Sequence, residues 1–131
     1  MTVDTKPFLN AKGRQRRVTG KETEGQVNLS DMDNSRQCSA TYTISSADTW
    51  EHKVLNFAAD TTGAFDDDNA ASLQLSFWLH GGSTFTSGTL NTASWANATN
   101  ANRAAGIDSF FSSTDNNFFL PGVQMEVGSQ A

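Results

Sequence analysis

The chain has 131 residues, enough for one domain with one core. Its 37% hydrophobic and 18% charged residues are both low, and Ser, Thr, Asn and Gly fill the difference, which points to an all-β extracellular or virion domain rather than a cytosolic enzyme. The net charge of −5 is uneven: residues 1–36 hold seven Lys/Arg against five acids, and residues 37–131 hold two against nine, so the body should repel nucleic acid.

Residues 1–24 show no sustained periodicity. The basic part, from Ala11 to Lys21 with Gly13 and Gly20, reads as a poorly ordered arm. A nucleic-acid-binding arm is the sharper alternative, but no aromatic residues are interleaved with the charges. The ordered domain is expected over residues 25–131. Its first strand is residues 26–29, with Val27 and Leu29 on one face. Residues 31–35, Asp-Met-Asp-Asn-Ser, form a turn of residues that bond their own backbone. Residues 37–44 return as a strand with Ala40, Tyr42 and Ile44 on one face, completing a hairpin. A second turn at 45–49 leads to a strand at 50–57, with Leu55 and Phe57 inward. Residues 58–71 are a loop carrying Gly63, Phe65 and the run Asp66-Asp67-Asp68-Asn69.

Residues 72–80, Ser-Leu-Gln-Leu-Ser-Phe-Trp-Leu-His, are the most regular stretch. Leu73, Leu75, Phe77 and Leu79 share one parity; Gln74, Ser76, Trp78 and His80 share the other. Strict alternation is the period of a strand, buried on one face and expected to be free on the other. Gly81-Gly82 ends it. Residues 83–103 form a long polar loop with Phe85, Leu90 and Trp95 as anchors, a length that is functional or packed over an edge. Residues 108–114 are expected as a short strand with Phe110 and Phe111, and residues 117–127 as the last. The apolar phase of that last strand flips at Pro121-Gly122, as a β-bulge would make it do. Short strands at this spacing, without a helical segment, predict a β-sandwich.

Three pieces of the chain resemble the carbohydrate-binding-module-like jelly-roll domain of bacteriophage tail-fibre and other virion proteins. They are Thr41-Tyr42-Thr43-Ile44 through residues 47–53 (Ala-Asp-Thr-Trp-Glu-His-Lys), residues 60–65 with Asp68-Asn69 running into 73–77, and Phe118-Phe119-Leu120-Pro121-Gly122-Val123-Gln124-Met125-Glu126-Val127-Gly128-Ser129. The last piece is the most specific. The resemblance covers roughly residues 26–131. It implies an antiparallel β-sandwich of jelly-roll type, galactose-binding or carbohydrate-binding-module-like. Residues 1–24 do not match the strands that open such domains, so the chain reads as a later part of a jelly roll lacking its first strands. The implied role is a non-catalytic virion or tail-fibre module that presents a surface for host glycan recognition or fibre assembly. Its partners would be a host surface glycan or other virion proteins, with a homotrimer as one arrangement. The alternatives are a purely structural spacer in a fibre and an accessory domain of a carbohydrate-active enzyme. The start of the chain lacks the apolar segment of a signal peptide, which fits a protein that leaves the cell inside a phage particle.

The chemistry expected from the residues is that of a binding surface. On an open sheet face, the Trp78 indole would stack on a pyranose while Gln74, Ser76 and His80 bond its hydroxyls. The competing reading packs Trp78 under residues 83–103. Asp66 and Asp68 are candidate calcium ligands, since hard cations take oxygen donors; the same run also reads as a solvated acidic turn, and no other cofactor is indicated. Asp108, Asp115 and Glu126 are available carboxylates, but no spacing selects a glycosidase pair. His52 and His80 lack zinc-ligand spacing, and no Gly-x-Ser-x-Gly elbow exists. The chain is therefore read as not an enzyme. Cys38, the single cysteine, excludes an internal disulfide and reads as a small semi-buried residue. Asn28-Leu29-Ser30 and Asn97-Ala98-Thr99 match the glycosylation sequon by chance. No apolar run approaches the roughly 18 residues of a membrane span, so no membrane partner is expected.

Overall fold

A computed structural model describes residues 2–10, 23–46, 50–114, 116–120 and 122–128, with residues 2–10 and Thr23 described by their backbone. The fold is all-β, with antiparallel pairing throughout and very little helix. Its strands are β1 (Thr2–Asn10), β2 (Thr23–Asp31), β3 (Arg36–Ile44), β4 (Trp50–Asn56), β5 (Leu73–Trp78), β6 (Ala96–Asn97) and β7 (Gln124–Glu126). They form a three-stranded sheet, β4-β1-β7, and a four-stranded sheet, β5-β2-β3-β6. No helix among the described residues is long and apolar enough to cross a membrane.

The β2–β3 hairpin is the centre of the four-stranded sheet. Its turn closes as the sequence leads one to expect: Asp31 Oδ1 accepts the Asn34 backbone N–H at 2.8 Å, and Asn34 Nδ2 donates to Asp31 Oδ2 at 2.9 Å. Ser35 takes a positive φ of 52° to complete the reversal. Nine residue pairs then run in register from Thr23↔Ile44 to Asp31↔Arg36. On β2's other edge, Val27 faces Phe77 and Leu29 faces Leu75 of β5. This row, with Cys38, Tyr42 and Ile44 from β3, packs on Leu55 of β4 and on Phe57 and Trp95. Strands of both sheets thus contribute to one apolar cluster. Full burial of Val27 and Leu29 contributes about 1.5–3 kcal/mol each.

The opposite parity of this sheet is not free, and here the structure departs from the expectation of an open face. Gln26, Asn28, Ser30, Gln37 and Ser39 are all buried. Residues 83–105 lie across them. Gln26 Nε2 donates to Ala105 O at 2.8 Å, Gln37 Nε2 to Thr99 O at 3.1 Å, and Arg103 to Ser30 Oγ at 2.9 Å. Within the layer Asn28 Nδ2 donates to Ser39 Oγ at 3.0 Å, and Ser30 Oγ to Asn28 Oδ1 at 2.8 Å. Polar residues tolerate this burial because they bond one another and groups of the irregular segment above, Ala105 O, Thr99 O and the Arg103 guanidinium. Trp95 anchors the segment: its indole N–H donates to Ala58 O at 2.6 Å. Arg36 fixes the same corner, pairing with Asp60 at 2.7 Å and donating to Trp95 O at 3.2 Å.

Four further expectations change. Thr2–Asn10, placed in a poorly ordered arm, is strand β1, and β2 begins at Thr23. Its own sequence has no alternation to announce it; β1 is specified by pairing with β4 and β7. Pro7, which has no N–H to give a ladder, lies where the register with β4 shifts between Thr5 and Leu9. Residues 108–114 are not a strand: Phe110–Ser112 form a 3₁₀ turn, with Ser112 N–H on Ser109 O. Adjacent phenylalanines cannot both face inward from a strand, and Phe111 is exposed. The last strand shrinks to Gln124–Glu126. A single helical turn, α1 (Ser83–Thr86), follows Gly82 where no helical segment was expected. Residues 11–22 of the basic stretch, residues 47–49 of the second turn, Asp115 and Pro121 lie outside the described residues.

Candidate functional site

The candidate site is a shallow pocket, open to solvent, at the end of the four-stranded sheet. It sits where β2 enters and β3 and β5 leave. Glu24, Gly25, Tyr42, Ile44, Trp78 and Leu79 form the strand side, and Asp108, Phe110 and Phe118 the other. Gly25, Tyr42, Ile44 and Leu79 belong to the parity of the apolar core, and Glu24 and Trp78 to the polar one. The pocket therefore opens at the sheet's end rather than on either face.

Each wall has a local cause. Gly25 stands opposite Tyr42 in the hairpin, and a Cβ added there would lie 2.1 Å from the Tyr42 ring. Only glycine lets that ring lie flat across β2. Burial pushes the Tyr42 hydroxyl up to about 12, so the ring stays neutral. The opposite wall is tied to the end of β5: Phe110 N–H donates to Leu79 O at 2.8 Å, and His80 Nδ1 bonds Ser109 Oγ at 2.9 Å. Asn116 Nδ2 braces it through Phe110 O at 2.6 Å, and Phe110 and Phe118 meet edge-on with centroids 6.1 Å apart.

Trp78 connects the pocket to the covering segment. Phe85 of α1 packs on it with centroids 5.2 Å apart. Its Nε1 is buried without a hydrogen-bond partner. Its cross-strand neighbour Gln26 has its amide nitrogen on Ala105 O but its Oε1 buried and unpartnered. An unmet donor and an unmet acceptor thus occupy adjacent positions of one row, where each costs about 1–3 kcal/mol unless something else bonds it.

No family model matches the chain, and no curated protein or solved structure matches it either.

The four residues expected to form one flat site are separated. Trp78 lines the pocket. Gln74 is exposed opposite Ser30, Ser76 is half-buried opposite Asn28, and His80 is exposed on Ser109 and Phe111. Asp66 and Asp68 accept backbone N–H groups, from Asp68 at 3.3 Å and from Ala70 at 2.6 Å, and so close a turn. Among the described residues no three His, Cys, Asp or Glu side chains are grouped to hold a metal. Asp108 stands in the pocket wall, whereas Glu126 lies on β7 in the other sheet and is bonded by Gln124. Cys38 is fully buried, and burial holds its thiol above the ordinary range.

Sequence reasoning missed Glu24, Tyr42, Asp108, Phe110 and Phe118 as site residues. One signal was present: an isolated glycine inside a strand pattern marks a close approach, and Gly25 is the strand's seat for Tyr42. Nothing local to residues 108–118 announces that they fold back on the end of β5.

Proposed function

We propose that this chain is a non-catalytic binding module that takes a sugar ring in the pocket at the end of the four-stranded sheet. The observation that carries the reading is the aromatic wall of Tyr42, Trp78, Phe110 and Phe118, with the carboxylates Glu24 and Asp108 in the same lining. A sugar offers what such a wall lacks: C–H faces for the rings and hydroxyls that both accept and donate. The pocket is too shallow to enclose a ring, so the ring docks against its open mouth. Two antiparallel sheets sharing one apolar cluster are compatible with a β-sandwich of the jelly-roll type. With the resemblance of residues 41–53, 60–77 and 118–129 to phage tail-fibre modules, the reading places the chain in a virion, facing a host surface glycan.

A second reading, assembly with other virion proteins or as a homotrimer, is favoured by exposed apolar residues on the three-stranded sheet. Trp50 and Val54 share the outward parity of β4, and both are about half exposed. One experiment separates the two. Monosaccharides are titrated into the protein and its Trp78→Ala variant, with the mass in solution followed by light scattering. The proposal expects a sugar that binds the native protein and is lost from the variant while the variant's far-UV spectrum stays that of the folded protein. A protein that binds none but forms a discrete oligomer would leave the assembly reading standing instead.

A further inference from the structure

The charged groups of the pocket's described lining are of one sign. Its described lining includes two carboxylates, Glu24 and Asp108, and no Lys, Arg or His. Carboxylates only accept hydrogen bonds. The other polar edges in the wall, the Trp78 N–H and the Tyr42 hydroxyl, are neutral. Four rings, those of Tyr42, Trp78, Phe110 and Phe118, line the same pocket. Aromatic faces attract cations through their negative quadrupole, and indole does so best. The surrounding body adds to the same field, since residues 37–131 carry nine acids against two bases.

We infer that the pocket selects a sugar that carries a protonated amine, such as a 2-amino-2-deoxyhexose unit of a de-N-acetylated glycan, and rejects acidic sugars. The inference rests on the sugar-binding reading above and specifies its ligand. An ammonium on the ring meets Glu24 or Asp108 and the adjoining ring faces at once. A uronate or sialate in the same seat sets its carboxylate beside two others, a like-charge arrangement that interfaces use to refuse wrong partners. An N-acetylated sugar keeps the ring but loses the charge.

The test compares glucosamine, glucose, N-acetylglucosamine and glucuronate by calorimetry in mildly acidic buffer at low salt, where the amine is protonated. Glucosamine is expected to bind about tenfold more tightly than glucose or N-acetylglucosamine, with glucuronate weakest. The preference should shrink in high salt. The double variant Glu24→Gln, Asp108→Asn should lose the preference for glucosamine over glucose, with its folding checked by far-UV dichroism. If the variant does not fold, the salt dependence and the N-acetylglucosamine comparison on the native protein decide alone. Equal binding of glucosamine and glucose, or glucuronate as the tightest ligand, overturns this inference and leaves the sugar-binding reading intact. Binding of none of the four overturns both.

Discussion

The two faces of the four-stranded sheet are both buried along the middle of β2 and the start of β3, and by different means. On one, Val27, Leu29, Cys38, Tyr42 and Ile44 are 8% exposed or less; on the other, Gln26, Asn28, Ser30, Gln37 and Ser39 are 2% exposed or less. The first face excludes water because its surface is apolar and another sheet's residues meet it. The second excludes water because the Gln26 and Gln37 amides find backbone carbonyls in residues 83–105 and the Ser30 hydroxyl accepts from Arg103. Alternation along a strand reports the chemistry of each face, not whether anything lies over it. A polar face opposite an irregular, Asn- and Thr-rich segment is a face that the segment is able to cover.

The comparison predicts unequal responses to mutation. Leu29→Ala should cost the most, about 3–5 kcal/mol, because a rigid apolar site is left as a cavity; urea unfolding measures it. Arg36→Ala should cost about 3 kcal/mol, since it strands the mostly buried Asp60 carboxylate and releases Trp95 O together. Gly25→Ala should cost about 1–3 kcal/mol, as the Tyr42 ring must leave its place over β2, and near-UV dichroism should report the displaced tyrosine. Gln37→Leu, on the polar face, should cost least, about 1 kcal/mol. It takes one of two donors from Thr99 O, which keeps the Asn102 N–H, and also removes an unpartnered Oε1. A Gln37→Leu penalty matching that of Leu29→Ala would mean that the polar layer is as rigid as the core.

Acid should act through the corners rather than the faces. The hydrogen bond from Arg36 holds the Asp60 carboxyl below its ordinary value. Partial burial works to raise Glu51, but Lys53 and the N–H groups of Ser46 and Ser45 outweigh it and hold it low. A carboxylate with a lowered folded value stabilises fully above its unfolded value of about 4, and the stabilisation is lost as pH falls through the folded value. Stability should therefore be flat on the neutral side and fall below about pH 4. In Arg36→Ala that fall should be shallower, because Asp60 no longer contributes to it.

What the sequence discloses follows the range of the interactions. The β2–β3 hairpin, β4's inward Leu55 and the apolar parity of β5 are legible, because alternation and an Asp–Asn turn are local. β1 is not, since Thr2–Asn10 acquires its strand form from β4 and β7, both remote in sequence. The Phe110–Ser112 turn is set by Leu79 and His80 some 30 residues away. Trp78 is the one site residue that sequence and structure share. The sequence gives it a polar neighbourhood on a strand; the pocket comes from residues that join it only in three dimensions.

Trp78 also offers the most direct test of the account. The chain has three tryptophans. Trp50 is half exposed on β4, Trp95 gives its N–H to Ala58 O, and Trp78 holds a buried N–H without a partner in the pocket wall. Their indole N–H resonances, assigned by replacing each tryptophan with phenylalanine in turn, are followed as glucosamine is added to the ¹⁵N-labelled protein. The account predicts that the Trp78 resonance moves downfield and saturates while that of Trp95 stays in place. Movement of Trp50 alone, or of none of the three at saturating sugar, would contradict it.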